Sequence, residues 1–421
     1  KSSMAQEKYD VIVVGGGAAG MMAAGRAGEQ GKNVLLLERN KRLGEKLRIS
    51  GGGRCNIANA EPDEKKLLAH YGVAEQFLYS SFSQFGMKDT FTFFESRGLP
   101  LKIEANNRAF PKSEKAADVV RILEEYLKKG KVDVRKGVSV KSMEMKDGRI
   151  EKLIANDNGK QIDVMADSYI FATGGLSHPE TGSTGDGFEW LRSLGHTVEQ
   201  PTPTIVPLKV QEKWVQELSG VSVPDAKVSF LVNGSRKFSK TGNILFTHFG
   251  LSGPTILNCA GHVADLLQEG SVTAIIDLYP AMDLGILDRH ITKVFDQNKN
   301  KILKNVFKEI VPAGTADVLL SFLASIDPET KVHSVLKGQR REIAKLLKGL
   351  TLTIDGLMGF ERAVVADGGL TLSEVDVRTM RSKKVENLFV TGDLLHITRP
   401  SGGYSLQLCW TTGYVAGSSV V

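Results

Sequence analysis

Residues Val11 to Glu38 read VIVVGGGAAGMMAAGRAGEQGKNVLLLE, and Val11 to Gly25 carry no charge. An apolar opening of this kind suits either the core of an export signal or a buried fold. An export signal needs a basic leader, one continuous apolar core and a small-residue cleavage site. Two periodicities alternate here instead. Tyr9 to Val14 is a short apolar run stopped by three glycines, the pattern of a buried parallel strand. From Gly17 to Gln30 small residues dominate (Ala18, Ala19, Gly20, Ala23, Ala24, Ala27), as in a helix lying close on a sheet. Gly31 ends that helix, and Val34 to Leu37 forms a second strand closing on Glu38. The predicted order is strand, turn, helix, strand.

The spacing Gly15-x-Gly17-x-x-Gly20 gives each glycine a physical task. The first permits a tight turn, the second lets backbone approach a pyrophosphate, and the third brings helix and strand together. Free N–H groups and the helix dipole favour the anion. Glu38 stands 18 residues past Gly20, where an acid accepts hydrogen bonds from adenosine ribose hydroxyls and disfavours a 2′-phosphate. Strand, helix, second strand and acid in register predict a dinucleotide site.

At 421 residues the chain is expected to hold two or three domains. Hydrophobic content of 41% and charged content of 24% are those of an ordinary globular protein. No stretch approaches bilayer-spanning length, so no membrane partner is expected. Cys55, Cys259 and Cys409 are odd in number and far apart, which argues against a disulfide framework or a metal site and for a reducing cytoplasm. Lys1 to Lys8 reads as a disordered leader. The net charge of +6 and pI near 9.0 raise the question of an acidic partner. Lys337, Arg341, Lys345 and Lys348 fall at helical spacing. That face is either solvated, the favoured reading, or a nucleic-acid contact.

Texture divides the chain into 1–195, 196–282, 283–350 and 351–421. The first region carries the strand–helix–strand unit, a helix over Ala116 to Lys129, hairpin turns at Asp147-Gly148 and Asn158-Gly159, and an apolar strand from Tyr169 into Ala172, Thr173 and Gly174. The second is β-rich, with a turn at Asn233-Gly234, and the third is helical and basic. The fourth returns to strands. Its NLFVTGD motif ends on Gly392-Asp393, where backbone reaches a ligand and a carboxylate accepts from polyol hydroxyls. Pro400, Gly402 and Gly403 then open a helix carrying Leu406, Trp410 and Tyr414 four apart. A flavin edge that gains negative charge on reduction is supported by such a helix start, whereas a nicotinamide needs none. FAD is therefore the expected dinucleotide. Both ends share one chemistry, so the middle is expected to be an insertion.

Together VIVVGGGAAG, GEKLRISGGGRCNIAN, RAFPKSEKAADVV, ATGGLSHPETGSTGDGF, FTHFGLSGP and TGDLLHITRPSGGYSLQLCWTTGYVAG resemble the YhiN/BaiN-like family of bacterial FAD-dependent oxidoreductases, which includes aminoacetone-oxidase-like members. The resemblance covers essentially the whole chain. It implies an α/β fold: a Rossmann-like, glutathione-reductase-like two-dinucleotide FAD domain with an inserted β-barrel-like domain and an inserted helical domain. The stretch His396 to Ser401 departs from the pattern, since relatives more often carry an acidic residue and glycine there. On these motifs the expected cofactor contacts are Gly15, Gly17, Ala18, Ala19 and Gly20, then Glu38, Arg39 and Lys46. Gly52, Gly53, Arg54 and Asn56 follow, with Val138, Ala172, Thr173 and Gly174. Gly392, Asp393, Gly402, Gly403, Tyr404 and Ser405 complete the set. Gly51 to Gly53 supply N–H groups in a run, and Lys46 and Arg54 supply positive charge for phosphate or an anionic substrate.

The isoalloxazine carries the redox chemistry while protein groups orient and polarise. Cys55 has no partner at redox-disulfide spacing, so dithiol chemistry is not expected. There is no second glycine fingerprint, so NAD(P)H is expected to dock transiently, and dioxygen is the other candidate co-substrate. His248 in FTHFGLSGP is the candidate for proton transfer on the strength of the family motif, because a histidine beside two phenylalanines is more often a packing residue. Arg54 is a second, weaker catalytic candidate as a carboxylate anchor, and Tyr404 is a candidate to cover the ring. Two functions stand: an FAD oxidoreductase acting through a non-covalent flavin on a small organic amine, ketone or unsaturated ring, and an FAD-dependent RNA-modifying protein using the basic insert.

Overall fold

The computed structural model describes residues 8–421. The leader reading lies outside the described residues except at Lys8, which already opens the first strand, Lys8–Val14. That strand, the helix Ala18–Glu29 and the strand Val34–Glu38 form the expected unit, with Val11 opposite Val34 and Val14 opposite Leu37 in parallel register. All five residues of Val34–Glu38 are buried, the mark of a strand covered on both faces.

The small residues of the first helix are explained by its neighbours. A Cβ on Gly25 would stand 2.2 Å from the Tyr126 ring, and one on Gly28 would stand 2.6 Å from the Gly130 carbonyl. These contacts seat the helix Ala116–Lys129 and the turn after it. On the opposite side the last helix, Tyr404–Ser419, brings Gly413 and Gly417 against the Ala19 and Ala23 carbonyls, with Cβ-to-oxygen distances of only 2.5 and 2.3 Å. The first helix is thus held between two others at backbone contact.

Among the described residues a seven-stranded sheet runs Asp133–Lys136, Val34–Glu38, Lys8–Val14, Lys160–Phe171, Arg149–Asp157, Val138–Lys146, with Leu388–Val390 also on Lys160–Phe171. The long strand Lys160–Phe171 serves two sheets in one: its first half closes the antiparallel hairpin with Arg149–Asp157, and its second half runs parallel to Lys8–Val14 and Leu388–Val390. Both hairpins turn where the sequence places them, with positive φ at Asp147, Gly148, Asn158 and Gly159. The Lys8–Val14, Lys160–Phe171 and Leu388–Val390 strands therefore end side by side.

The chain divides into two compact units, residues 1–203 with 363–421, and residues 204–362. It passes from one to the other through Val198–Ile205 and back through Val365–Leu370, which pair as a two-stranded sheet. The second unit is a closed barrel of Leu208–Val210, Gly250–Ser252, Ser235–Thr247, Ser222–Val232, Val272–Asp277 and Leu350–Leu357. This moves the sequence boundaries. Residues 351–362 belong to the barrel unit, because Leu350–Leu357 pairs with both Val272–Asp277 and Leu208–Val210 and closes the cylinder. The helical stretch accordingly interrupts the barrel between its last two strands in chain order. Its helices are Leu284–Gln297, Leu303–Phe307, Ala316–Ser321 and Lys337–Lys348.

Lys337, Arg341 and Lys345 are exposed on the last of these, but Lys348 is not part of that face. Its ammonium donates to Asp277 Oδ2 at 2.7 Å and to the carbonyls of Tyr279 and Met282, tying helix to strand.

Candidate functional site

At the end of the first strand Gly15 has φ +108°, and its N–H donates to the Leu37 carbonyl at 2.8 Å. A Cβ there would stand 2.4 Å from the Ala172 carbonyl, so glycine is required for the strands to converge. A Cβ on Gly20 would stand 1.8 Å from the Gly15 carbonyl, which fixes the helix to the turn. Gly17 is different. It caps the first helix in extended conformation, with no side-chain cap for the helix amides of Ala18 and its neighbours, and a Cβ on it would meet nothing within 4 Å. An open space in front of unsatisfied helix amides is what a diphosphate fills.

Glu38 is buried, and Oε2 accepts from Gly16 N–H and Oε1 from Asn40 N–H, each at 2.7 Å. Burial pushes its carboxyl up, and the two amide bonds oppose that shift. Each oxygen keeps a lone pair for a ribose hydroxyl. Arg39 donates to Thr184 Oγ1 at 2.6 Å and pairs with Asp186, while Asn40 donates to the Thr181 carbonyl at 2.9 Å. Together they strap the 181–186 loop beside the acid. Buried Val138 follows Gly137, whose N–H donates to the Asn40 carbonyl at 3.0 Å.

The carboxyl-terminal motif reaches the same place. Gly392, at φ +63°, would bring a Cβ within 3.1 Å of Ala19 Cβ, and Gly175 would bring one within 3.3 Å of the Asp393 carbonyl. Gly15, Ala172 to Gly175 and Gly392-Asp393 therefore meet at the carboxyl ends of three parallel strands, the place where open α/β sheets bind ligands. Two polar groups point into this place. Thr173 Oγ1 is buried without a hydrogen bond. Lys46, half-buried along its length, turns its ammonium inward to Ser177 Oγ at 3.1 Å. Burial pushes the Lys46 amine below its usual range, against the pull of Asp393. An orphaned hydroxyl, an inward-turned ammonium, an open helix start and a buried acid fit an FAD pyrophosphate, ribityl chain and ribose.

Gly51, Gly52 and Gly53 all have positive φ (+57°, +68°, +84°), and a Cβ on Gly52 would face open space. Asn56, with its amide oriented to satisfy its neighbours, donates to the Ala58 carbonyl at 3.1 Å and accepts from Gly403 N–H at 3.0 Å. A Cβ on Gly403 would stand 2.2 Å from the Ala58 carbonyl carbon, so this loop and the start of the last helix touch backbone to backbone. Gly402 accepts from Asn59 at 3.1 Å.

Three sequence expectations meet a different environment. Arg54 is already held by Glu104 and Glu114, with its guanidinium 4.1 Å above the Phe110 ring, so it arrives with its charge matched. Tyr404 is buried with its ring 4.8 Å from that of His70 and its carbonyl accepting from Tyr71, so it packs within an aromatic cluster. His248 is exposed, on the turn between Ser235–Thr247 and Gly250–Ser252 of the barrel unit, with its ring 4.7 Å from Phe249. It is not a packed core histidine. All three cysteines are free and buried, and burial pushes Cys55 and Cys409 up to about 12, far from thiolate chemistry at neutral pH.

Two residues absent from the sequence expectations sit in this unit. Arg399 is buried and bonded to both Asp393 and Ser405. His396 has its Nδ1 buried without a partner. Both lie in the His396 to Ser401 stretch that departs from the family pattern, which is the signal that marks them in the sequence.

Residues 9–419 match the model of the HI0933-like protein Rossmann domain. The chain is 31% identical over 413 residues to a 3-dehydro-bile acid delta(4,6)-reductase of Clostridium scindens, covering 96% of this chain and 97% of that one. It is 29% identical over 420 residues to a ribosomal RNA dihydrouridine synthase of Escherichia coli, covering 99% and 98%. Among solved structures it is similar to a 3-ketosteroid-delta4-(5alpha)-dehydrogenase of Rhodococcus jostii, at TM-score 0.59 and 16% identity over 100% of this chain and 98% of that one. It is also similar to a 3-ketosteroid delta1-dehydrogenase of Sterolibacterium denitrificans, at TM-score 0.57 and 14% identity over 98% and 99%.

Proposed function

The chain belongs to the HI0933-like family of FAD-dependent oxidoreductases, and from that premise we propose that it reduces a carbon–carbon double bond conjugated to a carbonyl in a planar ring. The observation that carries this is the pair of full-length relatives. One is named for reduction at delta(4,6) of a 3-dehydro-bile acid, the other for making dihydrouridine. Both names describe adding two hydrogens across such a bond.

Bound FAD supplies the two-electron transfer. The protein's share is placement and protons. The amides behind Gly17 would hold the diphosphate, Glu38 would accept from the ribose, and Asp393 would accept from the ribityl chain. The helix start at Gly403 would favour the negative charge that the flavin gains on reduction. His248, on an exposed turn of the barrel unit, is the family-motif candidate for proton exchange. Arg54, matched by two carboxylates, orients the Ser50–Gly53 loop rather than a substrate anion. NAD(P)H is the donor, held weakly, and the buried free thiols favour a reducing cytoplasm.

The RNA reading keeps one support, the exposed Lys337, Arg341 and Lys345 beside relatives named for ribosomal RNA. With Lys348 turned inward that face is smaller than the sequence suggested. The anaerobic, NADPH-reduced protein should reoxidise on a cyclic enone and yield the saturated ketone by mass spectrometry. Reoxidation by ribosomal RNA alone transfers the function to the second reading. Reoxidation by neither refutes both.

A further inference from the structure

Arg399 is an arginine whose side chain is only 2% exposed, inside the site that the two halves of the first unit build. Its fork makes three separate bonds. Nε donates to Ser405 Oγ at 3.0 Å, Nη1 to the Ile397 carbonyl at 2.6 Å, and Nη2 to Asp393 Oδ1. One planar group thereby fixes the turn after the Leu388–Val390 strand against the first turn of the last helix.

A second cation lies in the field of this carboxylate without bonding to it. The Lys46 ammonium stands 3.7 Å from where a Gly174 Cβ would lie, and Asp393 Cβ stands 3.4 Å from where a Gly175 Cβ would lie. Lys46 and Asp393 therefore flank one two-glycine turn. Two carboxylates act on the Lys46 ammonium, Asp393 and the more exposed Glu180, while the Arg399 guanidinium is buried against Asp393. The positive end of the 16-residue last helix opens beside Arg399 through Ser405, so an anion that gains charge here meets a fixed guanidinium and a helix start.

We propose that Arg399 is a positioning residue that couples retention of FAD to its reduction potential: its fork holds Asp393 and Ser405 in place, and its charge, with that of Lys46, favours the reduced, anionic cofactor. The proposal rests on the reading of Asp393 as a cofactor contact. A purely structural ion pair would affect folding and leave the potential alone.

The test is an anaerobic dye-equilibrated titration of flavin absorbance, with flavin content measured on the purified proteins. Arg399→Gln should shift the two-electron equilibrium at least tenfold toward the oxidised form, about 30 mV, and lower the FAD content. Arg399→Lys keeps the charge but cannot span three acceptors, so its equilibrium should stay within about threefold while its FAD content falls. Lys46→Met should shift the equilibrium in the same direction as Arg399→Gln, and decides the matter if the latter does not fold. Equal equilibria in Arg399→Gln, Lys46→Met and the parent protein overturn this proposal alone, provided the parent carries FAD. A parent that releases no FAD on denaturation overturns the site reading and the proposal together.

Discussion

Gly17 and Gly20 stand one helical turn apart in a single motif, and the structure assigns them opposite kinds of constraint. A Cβ on Gly20 would lie 1.8 Å from the Gly15 carbonyl, well inside any real contact. The first helix cannot retreat, because Gly413 presses on its other side with a Cβ-to-oxygen distance of 2.5 Å. Gly20→Ala should therefore cost about 2–3 kcal/mol of fold stability by overpacking. Gly17 has φ −85° and ψ −165°, open to any residue, and a Cβ there meets nothing. Gly17→Ala should cost the cofactor-free fold no more than about 1 kcal/mol, the difference between glycine and alanine at a helix N-cap. That methyl group would occupy the space in front of the helix amides. Losing one or two charge-assisted amide–phosphate bonds costs about 3 kcal/mol, which corresponds to roughly a hundredfold in FAD affinity. The assays are a thermal melt of the cofactor-free proteins and a fluorescence titration with FAD. Gly17→Ala binding FAD within threefold of the parent, or Gly20→Ala melting like the parent, would refute the reasoning.

Glu38→Gln should place an amide N–H against the Gly16 or Asn40 N–H, weakening FAD binding about tenfold and the fold by about 1–3 kcal/mol; reconstitution and melting check both effects. Burial pushes Glu374 up, but hydrogen bonds from Lys384, His196 and Thr197 overcome it and hold the group at about 2. A carboxyl depressed from 4.5 stabilises the fold above its unfolded pKa, so about 3 kcal/mol should disappear as pH falls from 4.5 toward 2. Urea melts across that range should show a slope that Glu374→Gln flattens. Lys348→Met should cost about 3 kcal/mol by leaving half-buried Asp277 unpaired. Replacing Lys337, Arg341 and Lys345 by Ala should leave the melting temperature within a degree or two. Native protein at pH 8 should react with a thiol reagent at Cys55 and Cys409 only on unfolding, as labelling kinetics will show.

The cofactor half of the molecule was legible because its constraints are backbone constraints. Gly15, Gly20, Gly174 and Gly403 occupy conformations or contacts that no other residue tolerates, so the requirement is written directly into residue identity. The turns at Asp147-Gly148 and Asn158-Gly159 were readable for the same reason. The last barrel strand was also written plainly, as the alternation of Leu350, Leu352 and Ile354. Its partners lie at Val272–Asp277 and Leu208–Val210, and pairing across such separations leaves no local trace. Charged side chains were read least well. Lys348, Arg399 and Arg54 look alike in a sequence, yet one braces a barrel, one is buried against Asp393, and one is shared by two glutamates. The carboxylates that hold Lys348 and Arg54 come from distant segments and leave no local trace, whereas the partners of Arg399 lie within six residues of it, at Asp393, Ile397 and Ser405.

The strands Val198–Ile205 and Val365–Leu370 bear on how such a protein can change. Because they pair, the two points where the barrel unit joins its host lie about one strand spacing apart, roughly 4.8 Å. Gly368 lets the contact tighten, since a Cβ there would stand 2.6 Å from Pro201 Cα. A host whose cut ends are already side by side pays almost no loop-closure entropy for whatever is spliced between them. Residues 204–362 are in that sense an exchangeable cassette. A lineage, or a laboratory, can replace the whole of it while the hardware that handles electrons stays as it was.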